Sequence, residues 1–321
     1  MPLLEELELQ SHEQLVLAAA YLRLMNADLR AHADADRALI RDEFRDTLRS
    51  GALGEGAEGS GPLPVEADEP FEELAHGASD CARCLSILVE LCASEPFIGL
   101  DHTIDRRVNQ RSIGQTAITI GADVDEDDVE AIFGYLQHGQ RASQSKALLW
   151  VLIGAGGIAG IATAGMAAPA IGAAIGGVMG LSGAAAAAAG LAWLGGGAVA
   201  AGGLGMAGGT MLIAATGGLA GAGVGALFGS SKFTSDRAEG ESIKLFALCR
   251  SLDLAASRGG PDEERLRRLG GELREEMELA AEAFRDEAER CDDDAEAEAL
   301  FDAAKVIRRL RQKLGDPVES I

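Results

Sequence analysis

Apolar residues recur every three or four positions over most of the chain outside one long central stretch, a pattern that predicts a series of amphipathic helices. Leu15, Ala18, Leu22, Met25 and Leu29 follow the capping-box spacing of Ser11 and Gln14 and predict a helix from about Glu13 to Arg30. A second helical stretch runs through Leu39, Ile40, Phe44 and Leu48. Residues 51–70 then gather five Gly, three Pro and several carboxylates with no apolar period, the composition of a linker. Leu74, Ala78, Cys81, Leu85, Leu88 and Cys92 form one face of a helix over residues 71–94, which Pro96 ends. The alternating Ala117-Ile118-Thr119-Ile120, bounded by Gly114 and Gly121, predicts a single strand within residues 112–122. The carboxylates from Asp123 to Asp128 precede Val129, Ile132, Phe133 and Leu136, as suits the positive end of a helix.

Beyond the central stretch, Ile243, Phe246, Cys249 and Leu252 mark a helix that ends near Gly259-Gly260-Pro261. A longer one carries Leu266, Leu269, Leu273, Met277, Ala280 and Phe284. The last presents Leu300, Ala304, Ile307, Leu310 and Leu314. Lys305, Arg308, Arg309, Arg311 and Lys313 crowd its final turns before Gly315 and Pro317 stop it.

The central stretch follows another rule. From residue 147 to 231 there are 85 residues without a charge, of which 25 are Gly and 26 Ala. A span needs roughly 20 apolar residues to cross a bilayer as a helix, so this block holds two or four crossings. Pro169 separates the segments Leu148–Ala168 and Ala170–Leu191, and Gly195-Gly196-Gly197 precedes Ala198–Ala215 and Gly217–Gly229. Arg141, Lys146, Lys232 and Arg237 flank the block, and the positive-inside bias then puts both termini on the cytoplasmic side of a membrane. Within the block Gly217, Gly221, Gly225 and Gly229 fall every four residues. So do Gly172, Gly176 and Gly180, the pair Gly156 and Gly160, and the pair Gly205 and Gly209. Such rows leave a helix face without side chains, where a second backbone packs closely.

The expected fold is mainly α, with Gly/Ala-rich membrane helical hairpins between two α-helical flanks. Its segments are residues 1–50, the linker 51–70, a small helical region 71–146, the inserting module 147–231 and a C-terminal hairpin or bundle 232–321. The leading functional expectation is a non-enzymatic membrane protein whose glycine-zipper helices pack or homo-oligomerise in the lipid bilayer, while the acidic flanks regulate it or bind a protein partner. Gly and Ala add little transfer free energy, and Gly costs about 1 kcal/mol relative to Ala in a helix. The alternative is therefore a conditional membrane-perturbing, pore-forming-like effector that keeps its apolar hairpins buried in a soluble form.

Charge narrows the partners. The full chain carries 51 acidic and 28 basic groups, for a net charge of −23, all of it outside the block. Acidic flanks repel phosphate backbones, so nucleic acid is excluded as a partner. The acidic start MPLLEELELQ lacks the pattern of a secretory signal, and five irregularly spaced cysteines suit reduced thiols.

No motif supplies chemistry. Leu148 to Gly160 imitates a strand and glycine turn for dinucleotides, but no acidic residue follows before Asp236 to hold a ribose. Cys81 and Cys84 form a lone CxxC, whereas a zinc site needs four ligands. The Asp123 to Asp128 run lacks the Gly and Glu of a calcium loop, having Asp128 and Gly134 in their places. His12, His32, His76, His102 and His138 are dispersed, and Asp101, His102, Asp105 and Ser112 form no nucleophile elbow. Neither catalytic residues, a cofactor nor a metal is expected.

Residues 169–228 resemble the hydrophobic segment of the interferon-inducible 6-16 family of small membrane proteins and related bacterial chains. The likeness lies in the order of a Pro-led Gly/Ala helix, MGLSGAAAAAAGL at 179–191, LGGGAVAAGG at 194–203 and a further Gly-rich helix. It implies an integral helical membrane module, associated in that family with organelle membranes and innate responses, with no catalytic residues to carry over. It covers about a fifth of the chain, and the long acidic flanks depart from it.

Overall fold

The computed structural model describes residues 7, 11–49, 75, 80–93, 106–121, 124–143 and 231–315. Eight helices and no strand are delimited among them: α1 (Ser11–Ala31), α2 (Ala35–Arg49), α3 (Cys81–Ala93), α4 (Arg106–Ile120), α5 (Glu126–Ser143), α6 (Ser231–Ser257), α7 (Glu263–Arg290) and α8 (Asp294–Leu314). Helix α3 is the hub of the first five. It packs on α1, α4 and α5, and it also reaches α6. Its sequence explains that place, because Cys81, Ala82, Cys84, Leu85, Ile87, Leu88, Val89, Leu91, Cys92 and Ala93 are all buried. A helix apolar on nearly every side is stable only when surrounded.

Helices α6, α7 and α8 pack on one another as a three-helix unit. The apolar rows foreseen along α7 and α8 face inward: Leu266, Leu269, Leu273, Met277 and Phe284 are buried, as are Leu300, Ala304, Ile307, Leu310 and Leu314. Helix α6 is shared between the two sets and touches α3 and α5 on its other side. Its middle is accordingly buried around its circumference, polar Ser242, Lys244, Arg250 and Ser251 included. Gly259 and Gly260 turn the chain from α6 into α7 with φ of 77° and 132°, values that side chains disfavour.

Local signals set the starts. Asp80 Oδ1 accepts the Arg83 amide at 3.1 Å and Asp34 Oδ1 accepts that of Arg37 at 2.9 Å, each as a helix cap. At α5, Asp125 Oδ1 accepts the amides of Asp127 and Asp128 while Asp128 Oδ2 accepts that of Asp125 at 3.0 Å. This is a reciprocal capping box built from two aspartates.

Two expectations are corrected. The strand within residues 112–122 is the second half of α4. Asn109, Ser112, Ile113, Thr116, Ala117 and Ile120 are buried at helical spacing, whereas Ile118, which creates the apparent alternation, is 62% exposed. The expected transmembrane protein, membrane-located with both termini cytoplasmic, is corrected as well: no helix among the described residues is long and apolar enough to cross a membrane. Sixteen of the 28 residues of α7 are charged, and hydrocarbon does not solvate charge. The glycine rows on which the expectation rested, Gly156, Gly160, Gly172, Gly176, Gly180, Gly205, Gly209, Gly217, Gly221, Gly225 and Gly229, lie outside the described residues, as does the linker.

Candidate functional site

The structure brings together the two places where the chain enters and leaves the Gly/Ala block. Helix α5 leads into the block and α6 leads out of it, and the two pack antiparallel. Two contacts fix their register. Near one end of the pair, Arg258 Nη1 donates to Asp128 Oδ2 at 2.9 Å. Towards the other, a Cβ placed on Gly139 would lie 3.1 Å from Ile243 Cγ2 and 3.3 Å from Phe246 Cδ1. The glycine is what permits this approach. His138, one residue earlier, stacks its ring on Phe246 with centroids 5.7 Å apart. The Arg250 guanidinium covers the same phenyl ring at 5.6 Å. Continuing the register, Ser143 falls opposite about Glu239, so that α6 extends about two turns beyond the end of α5.

The last carbonyls of α5 are satisfied from a third helix. Arg309 Nη1 on α8 approaches the oxygens of Ala142 and Ser143 at 3.4 and 3.3 Å. A cation at a helix C-terminus meets both the unpaired carbonyls and the negative end of the dipole. Meanwhile Arg250 Nη2 donates to the Lys313 carbonyl at 2.5 Å, tying α6 to the end of α8. Asp128 serves the opposite end of α5 twice, closing the capping box and accepting from Arg258. Accepting that bond, its carboxylate holds the Arg258 guanidinium above its ordinary pKa.

Two further ion pairs join the same sets of helices. Lys244 Nζ on α6 lies 3.0 Å from Glu90 Oε1 on α3, and Arg265 Nη2 on α7 lies 3.3 Å from Asp80 Oδ2. In these four links the cations lie on α6, in the turn that follows it, on α7 and on α8, and the acceptors lie on α3, on its cap Asp80 and on α5.

Both cysteines of the motif, Cys81 and Cys84, are buried. Cys84 Sγ donates to the Ile120 carbonyl at 3.5 Å, and a Cβ on Gly121 would lie 3.0 Å from that sulfur. Cys92 is three turns along α3, about 16 Å from Cys81 along the axis, too far to share a ligand site. Burial pushes the Cys92 thiol well up, and the Cys249 thiol up to about 12, against the habit of nucleophilic cysteines. Among the described residues no group of three or more His, Cys, Asp or Glu is placed to hold a metal ion. His138 was foreseen only as a dispersed histidine. Its stacking on Phe246 spans more than 100 residues of sequence, as do the contacts of Asp128 with Arg258 and of Gly139 with Ile243. The hints were a charged helix start, a basic helix end and a small residue in an apolar row.

No protein-family model, curated protein or solved structure matches the chain.

Proposed function

We propose that the protein is a non-enzymatic, conditional membrane-perturbing effector, in which a charged helical body carries residues 147–231 as an apolar insert kept from lipid until the body opens. One observation carries the reading: the helices that lead into and out of an uncharged 85-residue insert are packed side by side in one helical body. An insert rooted at both ends in this way leaves and returns to the same part of the molecule. The low transfer free energy of Gly and Ala suits an insert that exchanges a protein environment for a lipid one, and the rows of glycine suit close helix packing in either. The resemblance of residues 169–228 to the 6-16 family module fits the same use.

The test is release of a trapped dye from liposomes. Removing residues 1–146 strips α3 and α5 from α6 and is expected to raise leakage above that of the intact chain. Replacing residues 147–231 by a short Gly/Ser linker is expected to abolish it. Absence of leakage from both the intact and the shortened chain would overturn the proposal.

A further inference from the structure

We infer that α8 is a self-association surface, its outer face pairing antiparallel with the same face of a second copy of this chain about a twofold axis. The pairing uses the helical body alone and does not depend on what residues 147–231 do. Leu300, Ala303, Ala304, Ile307, Leu310 and Leu314 bury one side of α8. Along the opposite side, at spacings of three or four residues, run Asp294, Glu298, Asp302, Lys305, Arg309 and Lys313, all exposed except Arg309, which is half-buried.

The order of these charges carries the pairing. The three carboxylates follow one another at i, i+4, and so do the three cations, an arrangement that repels within a single helix. Helix α7 shows what a solvated face favours, with Glu263 and Arg267, Arg268 and Glu272, and Arg285 and Glu289 paired at i, i+4. The helix dipole accounts for Asp294 and Lys313 in the end turns of α8, but its influence fades before Glu298, Asp302, Lys305 and Arg309 are reached. Among the described residues Glu298, Asp302 and Lys305 enter no ion pair, although Asp302 and Lys305 stand three positions apart.

A second copy resolves the conflict. A twofold axis midway between Ala303 and Ala304 places Asp294 opposite Lys313 of the other copy, Glu298 opposite Arg309 and Asp302 opposite Lys305, and symmetry makes each match twice. One register satisfies all three. Arg309 uses Nη1 on the carbonyls of Ala142 and Ser143, which leaves Nε and Nη2 for the carboxylate. Phe301, 43% exposed, is one of four large apolar side chains that stay on the surface among the described residues. In this register it and its copy stand about 8 Å apart along the axis on the same flank, within reach of aromatic contact. A single pair of helices about 30 Å long lies at the small end of specific interfaces, so a dissociation constant in the micromolar range is expected.

Sedimentation velocity of the full chain over about 1 to 200 μM spans that range. Asp302→Lys and Lys305→Asp each turn two attractive pairs into two repulsive ones and are expected to weaken dimerisation on the order of tenfold. Both substitutions in one chain set opposite signs against each other again and are expected to restore the dimer, as is mixing the two single variants. A merely structural role predicts neither rescue, since both side chains are exposed. Glu282→Lys, on the exposed face of α7, is expected to change nothing. A chain that stays monomeric throughout this range, or an assembly whose mass is alike in every variant, would overturn the pairing. So would a double variant that associates as weakly as the single ones.

Discussion

Asp128 is the side chain whose loss should reveal how α5 is held. Its Oδ2 accepts the Asp125 amide at 3.0 Å and Arg258 Nη1 at 2.9 Å, with the side chain only 2% exposed. Asp128→Ala removes the returning half of the capping box, worth about 1 kcal/mol. It also removes a charge-assisted hydrogen bond. That bond sits at the lower end of its range, about 1.5 kcal/mol, because the Arg258 side chain is 38% exposed and water partly replaces the lost carboxylate. The expected destabilisation is thus about 2 to 3 kcal/mol. Asp125→Ala leaves the Arg258 contact in place but exposes two amides, and about 1 kcal/mol is expected.

Urea unfolding followed by circular dichroism measures each variant, and a cycle with Arg258→Ala isolates the pair. A coupling of about 1 to 1.5 kcal/mol is expected, with the urea slope unchanged. A coupling below about 0.5 kcal/mol would refute the reasoning, since Asp128 and Arg258 would then behave as an ordinary surface pair despite the burial of one partner.

Gly139→Leu should cost about 2 kcal/mol by thermal unfolding, because its side chain has to enter the space of Ile243 and Phe246. Gly271→Ala, with nothing within 4 Å in mid-helix, should gain about 0.5 to 1 kcal/mol, and equal effects at the two sites would deny the seam. A thiol reagent at neutral pH should label Cys291 first and leave Cys84, Cys92 and Cys249 protected until unfolding; native labelling of Cys249 at the rate of Cys291 would contradict its burial. Cys249 titrates in the fold at about 12 against an ordinary 9.0, so the unfolded chain loses its proton first, and stability present below 9 is lost as pH rises towards 12. Cys92 and Tyr135 are shifted in the same direction, and unfolding midpoints that stay level over that window would count against all three. In the insert, Gly221→Leu with Gly225→Leu should reduce dye release more than Gly218→Leu with Gly223→Leu, and equal reductions would mean that glycine content rather than spacing matters.

The helices were legible wherever one face is apolar and the other wet. Leu266, Leu269, Leu273, Met277 and Phe284 announce α7, and the charges between them mark its solvent side. Helix α4 misled because its buried row is built from Asn109, Ser112, Thr116 and Ala117 as much as from Ile113 and Ile120. Thr116 and Thr119 donate to the carbonyls four residues back, so these hydroxyls are satisfied inside the helix rather than by a neighbouring strand. The site itself was written as unrelated fragments: a carboxylate run at 123–128, an unremarked Gly139, and a basic end at 305–313. What joins them is contact between residues more than 100 positions apart, and no local period encodes that.

Helix α6 joins the two sets of helices. Of all the helices it has the role least apparent in its sequence, because Lys244, Arg250 and Ser251 interrupt the apolar rows. Their burial follows from partners on two sides: Lys244 reaches Glu90 on α3, and Arg250 reaches the Lys313 carbonyl on α8. The buried apolar residues of both sets form one core around α6, and it accommodates these two cations because each finds an acceptor. The same helix begins where the insert ends. Lys244 stands 13 residues, about 20 Å along the axis, from Ser231, so the helix that follows the uncharged stretch is also the one that contacts both sets.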